Sequence, residues 1–149
     1  MIADTFDQLC AFAGTWQGEG RGRFPTIDDF RYEERLRLVA DDAYPLLAYE
    51  QRTWLEDGEP GHWEFGFWRP GPGGVVEISN AQESGRVEVL SGRVRQTDAG
   101  TEVVLNSVVH GHDARLIRTR RTLHLTEDSL SYVVEMATHT TEQPVLLRH

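Results

Sequence analysis

Six histidines could ligate a metal or move a proton near neutral pH in this 149-residue chain: His62, His110, His112, His124, His139 and His149. Two of them fall together in His110-Gly111-His112-Asp113. Two imidazoles and one carboxylate would need further ligands from elsewhere to make a metal site. The glycine marks a turn, so the segment reads as a surface loop. His124 stands among polar neighbours and reads as solvated. The carboxylates Glu19, Glu64 and Glu77 are scattered, and no nucleophile–base constellation is visible. Arg115, Arg118, Arg120 and Arg121 crowd one strand. Strand alternation divides them between two faces, and they are expected to pair with the excess carboxylates on the exterior. The single cysteine, Cys10, excludes an intrachain disulfide.

These residues must be positioned by β-structure. The segment Gly14-Thr15-Trp16-Gln17-Gly18-Glu19-Gly20-Arg21-Gly22-Arg23 alternates glycine with charge. In an extended chain Gly18, Gly20 and Gly22 share one face with Trp16. That face predicts the first strand of a barrel with a bare wall towards a cavity; the competing reading is a bent edge strand without ligand. Before it, Phe6, Leu9 and Phe12 recur at helical spacing, predicting a short helix over residues 4–12 capped by Asp4 or Thr5. Alternation over 30–40 puts Phe30, Tyr32, Leu36, Leu38 and Ala40 on one face. Further strands are expected at 46–55, 62–69, 75–81, 86–94, 102–109, 114–125 and 130–138, separated by turn signals such as Ser84-Gly85 and Asp98-Ala99-Gly100. The fold class expected is all-β: an up-and-down antiparallel β-barrel of about ten strands, lipocalin- and fatty-acid-binding-protein-like, with a short N-terminal helix and one domain over 1–149.

The formal net charge of −9 argues against sequence-independent binding to nucleic acid or to anionic membrane. No apolar run approaches the length of a membrane span, and Met1-Ile2-Ala3-Asp4 lacks the basic and apolar regions of a signal peptide. The expected location is cytoplasmic.

Several motifs in one order carry a sharper likeness. Gly14-Thr15-Trp16-Gln17-Gly18-Glu19-Gly20 fits Gly-X-Trp-X-Gly-X-Gly. Phe24-Pro25-Thr26-Ile27, Phe30-Arg31-Tyr32-Glu33-Glu34, Gly66-Phe67-Trp68-Arg69-Pro70, Ala81-Gln82-Glu83-Ser84-Gly85-Arg86 and Tyr132-Val133-Val134-Glu135-Met136-Ala137-Thr138 follow. Over nearly its whole length the chain resembles the nitrobindins, haem-binding ten-stranded barrels. The resemblance implies one haem b in one end of the barrel, with a single histidine ligand and an open sixth position. It implies binding of nitric oxide and isomerisation of peroxynitrite to nitrate at ferric haem. The residues it assigns to the haem are Thr26, His62 on the distal side, Leu116, Met136 and the axial His149, with His139 in reserve; the motif residues are Gly14, Trp16, Gly18 and Gly20. The step from Pro144 to His149 is five residues where the family has four, and the family pattern runs past the position at which this sequence ends. The alternative is the same barrel without a functional haem ligand, holding a fatty acid or another small apolar molecule. Oligomeric state is not readable from the sequence; a homodimer through exposed barrel strands is compatible with it.

Overall fold

The computed structural model describes residues 2–23, 28–138 and 141–148. Helix α1 (Ile2–Cys10) precedes ten strands: β1 (Gly14–Gly22), β2 (Phe30–Ala40), β3 (Leu47–Leu55), β4 (Pro60–Pro70), β5 (Val75–Gln82), β6 (Val87–Thr97), β7 (Gly100–Gly111), β8 (Leu116–Leu125), β9 (Leu130–Thr138) and β10 (Thr141–Arg148). Each strand pairs antiparallel with the next, and β1 pairs with β10 to close the ring. The described register of that closing pair is Arg21 opposite Arg148 and Gly22 opposite Leu147. This is the up-and-down barrel that the alternation and turn signals predict. Strand β2 has the expected bounds. Helix α1 begins two residues earlier than expected, so Asp4 lies in its first turn and Thr5 is buried within it, and neither precedes the helix as a cap.

One end of the barrel is packed shut. Leu38, Leu47, Ile78, Leu90, Val103 and Leu105 are buried there in a continuous apolar cluster. A nine-residue helix is marginal in water alone. Helix α1 survives by laying Leu9 over this end, with Phe12 just beyond its last turn; both are fully buried. The Phe12 ring stands 5.3 Å from Trp68, and the Trp16 indole N–H donates to the Phe12 carbonyl at 2.9 Å. Trp16 thereby ties β1 to the plug, and it also borders a smaller cavity of about 170 Å³ with Gly18, Glu34 and Leu36.

The glycine face of β1 points inward as its spacing predicts, but it is not bare. Gly20 and Gly22 are buried, whereas Gly18 is exposed. In the β1–β2 register Gly20 stands opposite Tyr32 and Gly22 opposite Phe30. A Cβ at either glycine would overlap the ring of its partner. The missing side chains are thus filled by aromatics of the neighbouring strand, which cover the cross-strand glycines and bring both rings towards the axis. The glycines of β1 and the aromatics of β2 are one packing device.

Gly20→Val should lower the urea midpoint by a stability loss of about 2 kcal/mol with little change in m, because Tyr32 must leave its seat. Gly18→Val, with open space around its Cβ position, should change the midpoint far less.

Candidate functional site

The other end of the barrel holds a cavity of about 360 Å³. Side chains of period two build it from strand ends. Phe30 from β2, Leu55 from β3, and Val134 and Met136 from β9 give an apolar wall. Gln51 and Thr53 from β3, Glu64 from β4, Gln82 from β5, Glu88 from β6, Thr119 and Arg121 from β8, and Tyr132 from β9 give a polar floor. His62, Glu83 and Arg86 stand at the rim.

The floor is a hydrogen-bonded charge cluster. The Arg121 side chain is only 12% exposed and the Glu64 and Glu88 side chains 1% each. Arg121 Nη1 donates to Glu64 Oε2 at 2.9 Å and Nη2 to Glu88 Oε1 at 2.6 Å. Glu64 also accepts from the Tyr49 hydroxyl at 2.5 Å and touches His62 Nε2 at 2.7 Å. Glu88 accepts from Asn80 and Gln82 amides at 3.2 and 3.1 Å and from the Thr119 hydroxyl at 2.9 Å. Burial alone would push both carboxyls up; the Arg121 guanidinium, helped at Glu64 by His62, reverses this and holds both below the usual range. Burial, and next the Glu64 charge, push the Tyr49 phenol well up. Beside this cluster Glu34 accepts from Tyr132 at 2.5 Å and from Gln51 at 2.9 Å. Among the described buried side-chain polar atoms, only Arg121 Nε lacks a hydrogen-bond partner.

His62 lies at the rim with both ring nitrogens engaged: Nε2 with Glu64, and Nδ1 with Glu83 Oε1 at 3.1 Å. Met136 shares the cavity wall, and Arg86 reaches across to its sulfur at 3.8 Å while pairing with Asp113 at 2.7 Å. Leu116 is buried at the start of β8 and is not among the cavity-lining residues described. Gly14 and Trp16 begin β1 at the plugged end, Gly18 is exposed and Gly20 lies under Tyr32. Thr26, His139 and His149 lie outside the described residues.

Two expectations need correction. Arg121 pairs inside the barrel, not on its exterior, because a bulge between Leu116 and Arg118 sets Thr119, Arg121 and Leu123 on the inner face. Glu64 is not a scattered carboxylate but the centre of the floor, where it meets Arg121, Tyr49 and His62. Sequence reasoning also passed over Glu34 and Glu88. A signal existed for Glu34: it has the inward parity of Tyr32, Leu36 and Leu38. Gln82, in a matched motif without an assigned role, bridges Asn80 and Glu88.

A family model described as a THAP4-like, heme-binding beta-barrel domain matches residues 5–149. A protein of Arabidopsis thaliana named a peroxynitrite isomerase is 41% identical over 133 residues, covering 89% of this chain and 78% of that protein. A peroxynitrite isomerase of Streptomyces griseus is 36% identical over 137 residues, covering 87% of this chain and 72% of that protein. The crystal structure of Rv2717c from M. tuberculosis superposes with a TM-score of 0.87 at 29% identity, covering 99% of this chain and 96% of that one.

Acid should unfold the protein through this floor. Glu64 has a folded pKa below its unfolded value of about 4.3. Its contribution is therefore complete above that value and is lost as pH falls towards the depressed folded pKa. Arg121→Met, which strands two buried carboxylates, should cost roughly 3–5 kcal/mol at pH 7. Urea unfolding of this variant should show the opposite slope on mild acidification, with stability rising as the stranded carboxylates take up protons.

Proposed function

The chain belongs to the THAP4-like, heme-binding β-barrel family, and from that premise we propose that it binds nitric oxide and isomerises peroxynitrite to nitrate at a ferric haem b. The observation that carries this reading is the open-end cavity, within a barrel that the family matches almost end to end. Its 360 Å³ falls in the range of small-molecule sites. Its apolar wall suits a porphyrin face, and its floor is polar where a small ligand would sit. The orphaned Arg121 Nε marks a donor that the protein alone leaves unused.

Phe30, Leu55, Val134 and Met136 would pack on the ring and exclude water, with Leu116 behind them and Thr26 at the ring edge. When bound, ferric haem supplies a Lewis-acidic iron with an open coordination position. His149 would ligate the iron, with His139 in reserve. Strand β10, which leads to His149, lies across the ring from β5 and β4, so its wall faces Gln82 and His62. His62 is a poor axial candidate because ligation would strip it from Glu64 or Glu83. It would instead stand on the distal wall, oriented there by Glu64 and Glu83. A fatty-acid tail reaching the floor would meet two carboxylates and a guanidinium in place of an apolar lining.

We propose a cytoplasmic location, and the charge of −9 argues against sequence-independent binding to nucleic acid. No helix among the described residues is long and apolar enough to cross a membrane. A homodimer would use the outer face of β4, where Trp63, Phe65 and Phe67 are 36%, 50% and 47% exposed in one stripe.

A haemin titration should give a sharp Soret shift saturating at one equivalent, and the loaded protein should convert peroxynitrite to nitrate faster than free haemin. His149→Ala should abolish the shift; a shift that survives would move the ligand to His139 or His62. No shift in wild type would sink the reading. Phe65→Glu should halve the mass seen by light scattering if β4 joins two copies.

A further inference from the structure

The floor cluster carries more negative than positive charge, and this excess does not depend on how His62 titrates. Glu64, Glu83 and Glu88 face Arg121 and His62 in one connected set of contacts. With His62 protonated the set holds three carboxylates against two cations; with His62 neutral it holds three against one. The other cation at the rim, Arg86, is matched by Asp113. Glu64 and Glu88 are buried, so salt screens their field weakly. Arg121 is committed to both carboxylates at once, which keeps them ionised.

We propose that the Glu64–Arg121–Glu88 floor is an electrostatic device that holds bound haem in the ferric state. The proposal rests on the haem reading above. The iron–porphyrin core carries one net positive charge when ferric and none when ferrous. Reduction adds one electron to the iron and breaks no bond. A fixed negative charge lining the same cavity stabilises the positive form and leaves the neutral one unaffected, so it lowers the midpoint potential. A unit charge acting through a protein interior over a cavity's width changes the ferric-to-ferrous ratio by roughly tenfold, equal to about 59 mV for a one-electron couple. The Lewis-acidic ferric iron that peroxynitrite isomerisation needs would thus be maintained by side chains that need not touch the substrate. Glu64 and Glu88 are in this sense tuning residues, not catalytic ones.

The test is a spectroelectrochemical titration of the haem-loaded full chain, reading the Soret band. Glu88→Gln keeps the shape and removes one charge; its midpoint should rise by about 59 mV, a roughly tenfold change in ratio. Glu83→Gln, at the exposed rim, should raise it less, and most clearly at low salt. Thr119→Val removes a hydrogen bond to Glu88 without changing charge and should leave the midpoint near wild type. Full haem occupancy in Glu88→Gln with an unmoved midpoint overturns the proposal. So does a shift in Thr119→Val equal to that of Glu88→Gln, since hydrogen bonding and not charge would then set the potential. If Glu88→Gln does not fold, an unmoved Glu83→Gln midpoint at low salt overturns it. A wild-type chain with no Soret band would refute the haem reading itself, an outcome distinct from a normal Soret band with an unmoved midpoint.

Discussion

One guanidinium holds the interior of this barrel together. Arg121 stands between Glu64 and Glu88, and each of the three would be prohibitively costly to bury alone. Together they satisfy one another and draw in Tyr49, Asn80, Gln82, Thr119 and His62 from four strands. The cluster also divides the barrel. Below it the apolar residues form one buried cluster under α1; above it lies the cavity of about 360 Å³. A fully apolar interior would have no reason to stop filling at that level. The charged layer thus provides a floor for the site and a lid for the core.

Polar networks of this kind favour one arrangement over its neighbours, because partial satisfaction is worse than none. Register slips by one residue would turn Arg121 or Glu64 to solvent and leave its partners buried. The aromatic filling of Gly20 and Gly22 acts in the same direction from β1 and β2. The charge cluster ties strands distant around the ring to one alignment, the aromatic filling fixes the neighbouring pair β1 and β2, and both reach the wall or floor of the cavity.

The fold was legible because its signals are local. Alternation over 30–40, turn pairs such as Ser84-Gly85, and the Gly–Trp–Gly–Gly strand each need only a few consecutive residues. Helix α1 was placed late by two residues because Asp4 and Thr5 look like caps, whereas Asp4 lies in its first turn and Thr5 is buried within it. The site was legible in part. His62 and Met136 do border the cavity. The charge cluster was missed because its members lie on different strands, 24 to 57 positions apart in pairs such as Glu64–Glu88 and Glu64–Arg121, and no spacing rule links them. Only the inward parity of a charged residue, as at Glu34, betrays such a group, and the bulge in β8 hides even that for Arg121.

The ring is closed by the pairing of its first and last strands, and this contact has a folding consequence. Nine of the ten ladders join strands adjacent in sequence, so each can zip after the last at the modest entropy of closing one hairpin. The β1–β10 ladder joins residues from opposite ends of the chain, and becomes inexpensive only when the intervening meander has already curled them together. It is the last ladder to form and, by microscopic reversibility, the first to part. Breathing of the barrel is therefore concentrated along a single seam, and amide exchange on β1 and β10 reports it, while β3 to β8 exchange only by deeper unfolding.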